Sequence, residues 1–260
     1  MSAQDPGSSR PSPDEDLATS KRPAKRRARR PPKRPAKLDL YGDEDYAAQY
    51  DQRWASATGR KRDLRKARAI TLALQDLQER CGKSFQQVMD LPCGTGRFSH
   101  RLASEFPTYF GADLSVQMLA EAKNKIAASS PESDRAHCNF LAADAAKLPF
   151  DDQAIDVTLC IRFLHLVRDP QLRIDFVREL ARVSRYGVIL DYRHDRTLRI
   201  WGKRVRHKLG LLELAPANPS QAQIRDEIRA AGLHAQRFIH VHRAPLLSDK
   251  MLVVTTPIGA

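Results

Sequence analysis

The chain has 260 residues, 42% of them hydrophobic, with a formal net charge of +13. That length accommodates one large domain or two small ones. No stretch approaches the roughly 20 apolar residues of a membrane-spanning helix, and the opening Asp, Ser, Pro and Gly residues lack an apolar signal core, so neither a span nor a secretory signal is expected.

Residues 1–37 hold eleven Lys/Arg against four Asp/Glu, which is +7 of the total. They are rich in Pro, Ser and Ala and contain almost no large apolar side chains, so they cannot bury enough surface to offset the entropy of ordering. A disordered tail is expected. Ten of the seventeen residues 21–37 are basic. Two readings stay open: contact with an anionic surface (nucleic acid or membrane), or a solvated tail with no specific partner.

A single domain is expected over 38–260. Helical patterning starts near Asp43 and runs to about Ala57. A second helix, from about Arg62 to Glu79, places Leu64, Ala67, Ile70, Leu74 and Leu77 at three-to-four spacing, and Gly82 fits its C-cap. Together these make an N-terminal helical cap over 38–82. Strands and helices then alternate. Phe85–Leu91 reads as a strand, Phe98–Phe106 as a short helix and Tyr109–Leu114 as a strand. Ser115 suits the N-cap of a helix reaching Ala128. Cys138–Ala142 and the almost continuously apolar Ile155–Ile161 read as strands, Gln171–Val183 as a helix and Gly187–Tyr192 as a strand. Ser220 caps a helix through Ala231. Phe238–Arg243 and Lys250–Thr255 follow with no helix between them, so they must pair antiparallel. The pattern predicts an α/β fold: a mostly parallel, seven-stranded sheet with an antiparallel C-terminal strand and helices on both faces.

Cys81, Cys93, Cys138 and Cys160 form no Cys-x-x-Cys pair. Reduced thiols in a cytoplasmic protein are expected, and no metal site.

The most informative segment is 88–96, Val-Met-Asp-Leu-Pro-Cys-Gly-Thr-Gly. A strand runs through Asp90 into a turn where Gly94 and Gly96 lack Cβ atoms, which permits close approach of a ligand to the main chain. A dinucleotide fingerprint would need a third glycine at position 99, where the chain has Ser99. Asp113 and Asp144 stand at the ends of the next two strands. Three carboxylates at successive strand ends behind a Gly-x-Gly turn form a set that helix capping alone does not account for.

Asp-x-x-Cys-Gly-Thr-Gly resembles the first motif of class I S-adenosylmethionine-dependent methyltransferases, in their small-molecule branch. The resemblance covers about residues 40–260 and implies a Rossmann-like methyltransferase fold with S-adenosyl-L-methionine as cofactor. It implies that Cys93, Gly94 and Gly96 pack against the methionine end and that Asp90 helps hold its ammonium. It also implies that Asp113 accepts the ribose hydroxyls and that Asp144 meets the exocyclic amine of adenine, with the Ala145 amide on a ring nitrogen. Leu114 and Arg162 are placed at the cofactor as well. The segment from Leu148-Pro149-Phe150 to Val167-Arg168-Asp169 is similar to the quinone-ring methyltransferases of ubiquinone and menaquinone synthesis. It departs from them at Arg162 and His165, so the substrate is not inherited.

Transfer from a sulfonium needs no enzyme nucleophile, so Cys93 reads as a small turn residue. Asp156 reads as an anchor for the start of its strand. No catalytic residue is assigned. His165, Asp191, Tyr192 and His194 are candidate bases or orienters, because they follow the fourth and fifth strands, where α/β crevices bind ligands. Tyr46, Tyr50 and Trp54 are expected to cover the other side of the pocket, with Tyr50 at the cofactor. Residues 193–218 form a basic insertion whose helix alternates Arg193, Arg196, Arg199, Lys203, Arg204, Arg206 and Lys208 with Leu198, Ile200, Trp201 and Val205. It reads either as a lid packed on the domain or as a contact with a membrane surface. The favoured function is methyl transfer to a small-molecule or lipid-like acceptor. An RNA methyltransferase using the basic tail and a non-catalytic cofactor-binding regulator stay open as alternatives.

Overall fold

The computed structural model describes residue 47 and residues 49–129, 131–135 and 137–259. The expected disordered tail, Tyr46 and the start of the first expected helix lie outside the described residues. Tyr50–Trp54 is a turn of 3-10 helix rather than the end of a helix reaching Ala57. The reason is Ser56. It is extended, and its hydroxyl accepts the Gly59 amide at 3.0 Å, which starts a new helix, α1 (Ala57–Cys81). A Cβ on Gly59 would lie 2.5 Å from the Trp54 carbonyl oxygen, so glycine there lets α1 close against Trp54. Gly82 ends α1 in the left-handed conformation, as expected (φ 59°).

The α1 stripe differs from the expected one. Leu64 is 71% exposed, and Lys66 is buried at 1%. Ala69, Ile70, Ala73, Leu74 and Leu77 continue the buried face. The helix turns a lysine inward because a carboxylate waits there, as described below.

The remaining elements follow in order: β1 (Gln87–Asp90), α2 (Ser99–Glu105), β2 (Thr108–Asp113), α3 (Val116–Ser129), the single turn α4 (Glu132–Arg135), β3 (Cys138–Ala142), β4 (Ile155–Cys160), α5 (Pro170–Val183), β5 (Ser184–Arg193), α6 (Leu198–Lys208), α7 (Gln221–Ala230), β6 (Leu233–His240) and β7 (Lys250–Pro257). The seven strands lie in the order β3-β2-β1-β4-β5-β7-β6. β7 is antiparallel to both neighbours, and the other pairs are parallel. β6 starts five residues earlier than expected. Gly232 (φ 86°) turns the chain straight from α7 into the strand, and a register shift between Ala235 and Arg237 restores the alternation.

The strands send alternate residues to two cores. Val88, Val157, Leu159, Ile189, Leu252 and Val254 meet α1 and α2 on one face. Met89, Cys160, Val188, Leu190, Met251 and Val253 meet α5 and α7 on the other. Every residue of β4 is buried, as a central strand covered on both sides requires. Asp156, at its start, accepts the Gln86 and Gln87 amides at 2.7 and 3.1 Å and ties β4 to β1. The C-terminal ends of β1, β2, β4 and β5 therefore share one edge, where the chain order reverses between β1 and β4.

Candidate functional site

The turn after β1 is held from below. The Cys93 amide donates to the Ala112 carbonyl at 2.8 Å, and the Gly94 amide donates to Asp113 Oδ2 at 2.9 Å. Asp113 Oδ1 accepts the Ser115 amide at 2.9 Å. Asp113 thus links the glycine turn to the start of α3, with one amide on each oxygen and remaining lone pairs for further donors. Burial raises its carboxyl, and the amides of Ser115, Gly94 and Leu114 oppose that rise.

The two glycines do different work. A Cβ on Gly94 (φ 56°) would meet no atom within 4 Å, so this glycine faces open space at the strand edge. A Cβ on Gly96 (φ 68°) would lie 2.9 Å from Ala122 Cβ and 3.0 Å from Ser99 Oγ. Gly96 is needed for packing against α3, rather than for close approach of a ligand.

Asp90 ends β1 at 1% exposure, and its Oδ1 has no hydrogen-bond partner among the described residues. Burial, then the nearby Asp113, pushes its carboxyl well above the usual carboxylate range. An uncompensated buried carboxylate is costly unless a cation meets it. Cys93 is buried, and desolvation followed by Asp90 and Asp113 drives its thiol up, so it stays protonated and is no nucleophile. Leu114, 53% exposed, extends the open surface past β2. Asp144 is exposed after β3, and its Oδ1 accepts the Ala146 amide at 3.0 Å. Ala145 packs against the core beside Phe150.

The expected bases divide. Asp191 is buried and paired with Lys66, Oδ1 to Nζ 2.7 Å, and its Oδ2 accepts the Arg162 amide at 3.1 Å. Tyr192 is buried and donates to Glu227 Oε2 at 3.2 Å. The buried His194 lies 3.1 Å from the Ser248 carbonyl through Nε2 and accepts the Arg196 amide at Nδ1. These three hold structure. His165 sits on the 3-10 turn Leu164–Leu166 after β4 and lines a cavity of about 90 Å³ with Arg168, Tyr192, Arg193 and Asn218.

Arg162 (φ 63°) leaves β4 in the left-handed conformation, which turns its side chain into a cluster the sequence reading largely missed. Arg162 and Arg97 both stack on the Trp54 ring, 4.0 and 3.7 Å from its centroid. Asp63 pairs with Arg97 and reaches Arg162 Nη2 at 3.4 Å. Tyr50 lies close enough to both arginines to influence their charge. Thr95 Oγ1 donates to Asp51 at 2.9 Å and Lys125 donates to the Thr95 carbonyl at 2.7 Å, so the 50–54 turn is fastened to the glycine turn. The sequence reading places Arg162, Tyr50 and Trp54 near the site and misses Asp63, Lys66 and Arg97. Among the described residues, no group of His, Cys, Asp and Glu could hold a metal ion.

The α6 helix keeps only Ile200 buried. Leu198 and Trp201 are largely exposed, at 63% and 67%, as are Leu246 and Leu247 on the neighbouring 3-10 turn Pro245–Leu247. The apolar side of this helix is therefore packed through Ile200 and left open at Leu198 and Trp201.

Comparison with known proteins agrees with this geometry. Residues 88–187 match the family model described as a methyltransferase domain. The chain is 34% identical over 134 residues to a demethylmenaquinone methyltransferase of Thermus thermophilus, spanning 50% of this chain and 55% of that protein. It is 27% identical over 123 residues to a ubiquinone biosynthesis O-methyltransferase of Coxiella burnetii, 47% of this chain and 50% of that one. The chain thus spans about half the length of these relatives. Among solved structures, the magnesium protoporphyrin IX methyltransferase of Synechocystis PCC 6803 with bound SAM superposes with a TM-score of 0.63 at 15% identity, covering 85% of this chain and 94% of that one. An S-adenosylmethionine-dependent methyltransferase of Clostridium acetobutylicum gives 0.61 at 14% identity, covering 83% and 98%. Residues 88–187 are thus similar to the methyltransferase domain family, and the chain shares the Rossmann-like fold of these solved S-adenosylmethionine-dependent methyltransferases.

Proposed function

We propose that the chain binds S-adenosyl-L-methionine and transfers its methyl group to a small-molecule acceptor. The observation that carries this reading is the buried, unpartnered Asp90 Oδ1 beside the open Gly94 turn and Asp113. A cationic ligand approaching the main chain would satisfy all three. When bound, the cofactor supplies a methyl group already activated on a sulfonium. Asp90 would face its ammonium and Asp113, through its remaining lone pairs, the ribose hydroxyls. Leu114, Asp144 and the Ala145 amide would take the adenine side, with Cys93 and Gly96 shaping the turn. The chain's task is then orientation and exclusion of water around the acceptor. His165 is the base candidate left on the acceptor side, for acceptors that arrive protonated.

The exposed Leu198, Trp201, Leu246 and Leu247, amid basic residues of α6, favour contact with an anionic membrane surface by which a lipid-like acceptor enters. No helix among the described residues is long and apolar enough to cross a membrane. The anionic contact expected for 21–37, and with it the RNA alternative, lies outside the described residues. Titration with S-adenosylmethionine, followed by incubation with isotopically labelled methyl donor and a small-molecule extract, tests the proposal. Saturable binding and a labelled small product support it. Binding without any labelled product favours the regulatory alternative.

A further inference from the structure

The Trp54 cluster is over-supplied with donors. Arg97 and Arg162 share a single carboxylate, Asp63. Arg97 Nε and Nη1, Arg162 Nη1 and Trp54 Nε1 are buried with no hydrogen-bond partner among the described residues. Buried N–H groups are normally paired, so a cluster of unpaired ones marks a missing acceptor. Four such donors, three guanidinium nitrogens of the arginines stacked on Trp54 and the N–H of that ring, match the planar oxygens of a carboxylate or a similar oxyanion.

The positive charge extends beyond this plate. Arg193, at the end of β5, lies opposite Lys250 in the β5–β7 register. Asp191, near Arg162, is already paired with Lys66. Burial together with Arg162, Lys66, Arg193 and Arg62 lowers the Lys250 ammonium to about 8. Burial and then Arg97 lower the Arg162 guanidinium, with Asp63, Tyr50 and Asp191 opposing. The excess of cations thus runs from the glycine turn, past the end of β4, to the end of β5. It continues into the cavity lined by His165, Arg168 and Arg193.

We propose that Arg97, Arg162 and the Trp54 N–H form an oxyanion subsite, and that the methyl acceptor is an acid carrying a carboxylate or similar oxyanion held there. This rests on the methyl-transfer reading and names its acceptor class. The carboxylate of the cofactor has the same chemistry. The acceptor is favoured because the cations continue from this subsite to Arg193 and Lys250 at the end of β5.

The test loads the native chain with S-adenosylhomocysteine and measures the thermal transition with benzoate and with the isosteric, neutral benzamide. Benzoate is expected to raise the midpoint and benzamide to leave it unchanged. In Arg97→Gln the benzoate response is expected to vanish while S-adenosylhomocysteine affinity stays within about twofold. Equal responses to the two probes, or no response to benzoate, would overturn the proposal, and this comparison needs no variant to fold. A tenfold loss of S-adenosylhomocysteine affinity in Arg97→Gln, with affinity for its decarboxylated analogue unchanged, would assign the subsite to the cofactor and also overturn it. Failure of the native chain to bind S-adenosylhomocysteine contradicts the methyl-transfer reading instead. As a second arm, an extract is separated into anionic and neutral small molecules before reaction with labelled donor. Label arising from the anionic pool supports the proposal, and label arising only from the neutral pool contradicts it.

Discussion

Asp113 Oδ2 accepts the Gly94 amide at 2.9 Å, so the end of β2 fixes the shape of the turn that follows β1. One carboxylate both builds the turn and, on the proposed function, receives the ribose. The two roles separate in mutants, because the turn needs one acceptor per oxygen while the ligand needs the lone pairs left over.

The glycines of the turn should respond oppositely to alanine. Gly96→Ala forces a methyl group to within 2.9 Å of Ala122 Cβ in a left-handed backbone, and the expected loss of stability is about 1–3 kcal/mol. Gly94→Ala strains the backbone by about 1 kcal/mol but meets no atom. Its methyl group enters the space assigned to the cofactor, so affinity should fall more than stability. Denaturant unfolding and calorimetry on both variants check the contrast.

Asp90 should limit the stability of the ligand-free chain. Its folded carboxyl is raised well above its ordinary value of 3.8 by burial, then by Asp113. Between those two values the native chain holds a proton that the unfolded chain has lost. Stability therefore falls as pH rises through that window. Asp90→Asn removes the effect. The variant should gain about 1 kcal/mol or more at neutral pH, a rise in Tm of about 2–4 °C per kcal/mol, while losing cofactor affinity. Thermal unfolding against pH checks the sign: the gain should shrink toward acid.

Breaking the buried Lys66–Asp191 pair from one side should be severe. Lys66→Met leaves Asp191 charged and uncompensated, at a cost of about 3–5 kcal/mol. Lys66→Met with Asp191→Leu should recover much of that loss, since two apolar groups replace two charges. Arg162 would still lose the acceptor for its amide. A double-mutant cycle in denaturant measures the coupling.

The α6 surface makes a separate prediction. The native chain should sediment with vesicles containing phosphatidylglycerol, release them at high salt, and ignore phosphatidylcholine alone. Trp201→Glu with Leu198→Glu should lose the vesicles without loss of stability, because both side chains are exposed.

The parallel sheet was legible because β1, β2, β4 and β5 each carry an apolar run, and each is formed by its own residues. Asp156 was legible as an anchor for the same reason. The Trp54 plate was not. It joins residues 54, 63, 97 and 162, and only the tertiary fold brings a 3-10 turn, a helix, a loop and a strand end together. The α1 stripe misled for a related reason: Leu64 and Lys66 exchange places because Asp191, over a hundred residues later, makes the buried ammonium tolerable. Gly96 was read as clearance for a ligand, since Ala122 behind it is invisible at a distance of twenty-six residues.

Calorimetric titration of the native chain and Asp113→Ala with S-adenosylmethionine tests the central claim most directly. The account predicts saturable binding of one equivalent by the native chain and a loss of about 5- to 150-fold in the variant, matching the loss of about 1–3 kcal/mol expected when buried donors lose their acceptor. An unchanged affinity in Asp113→Ala, with the variant folded, would contradict the site, and absence of binding by the native chain would contradict the function.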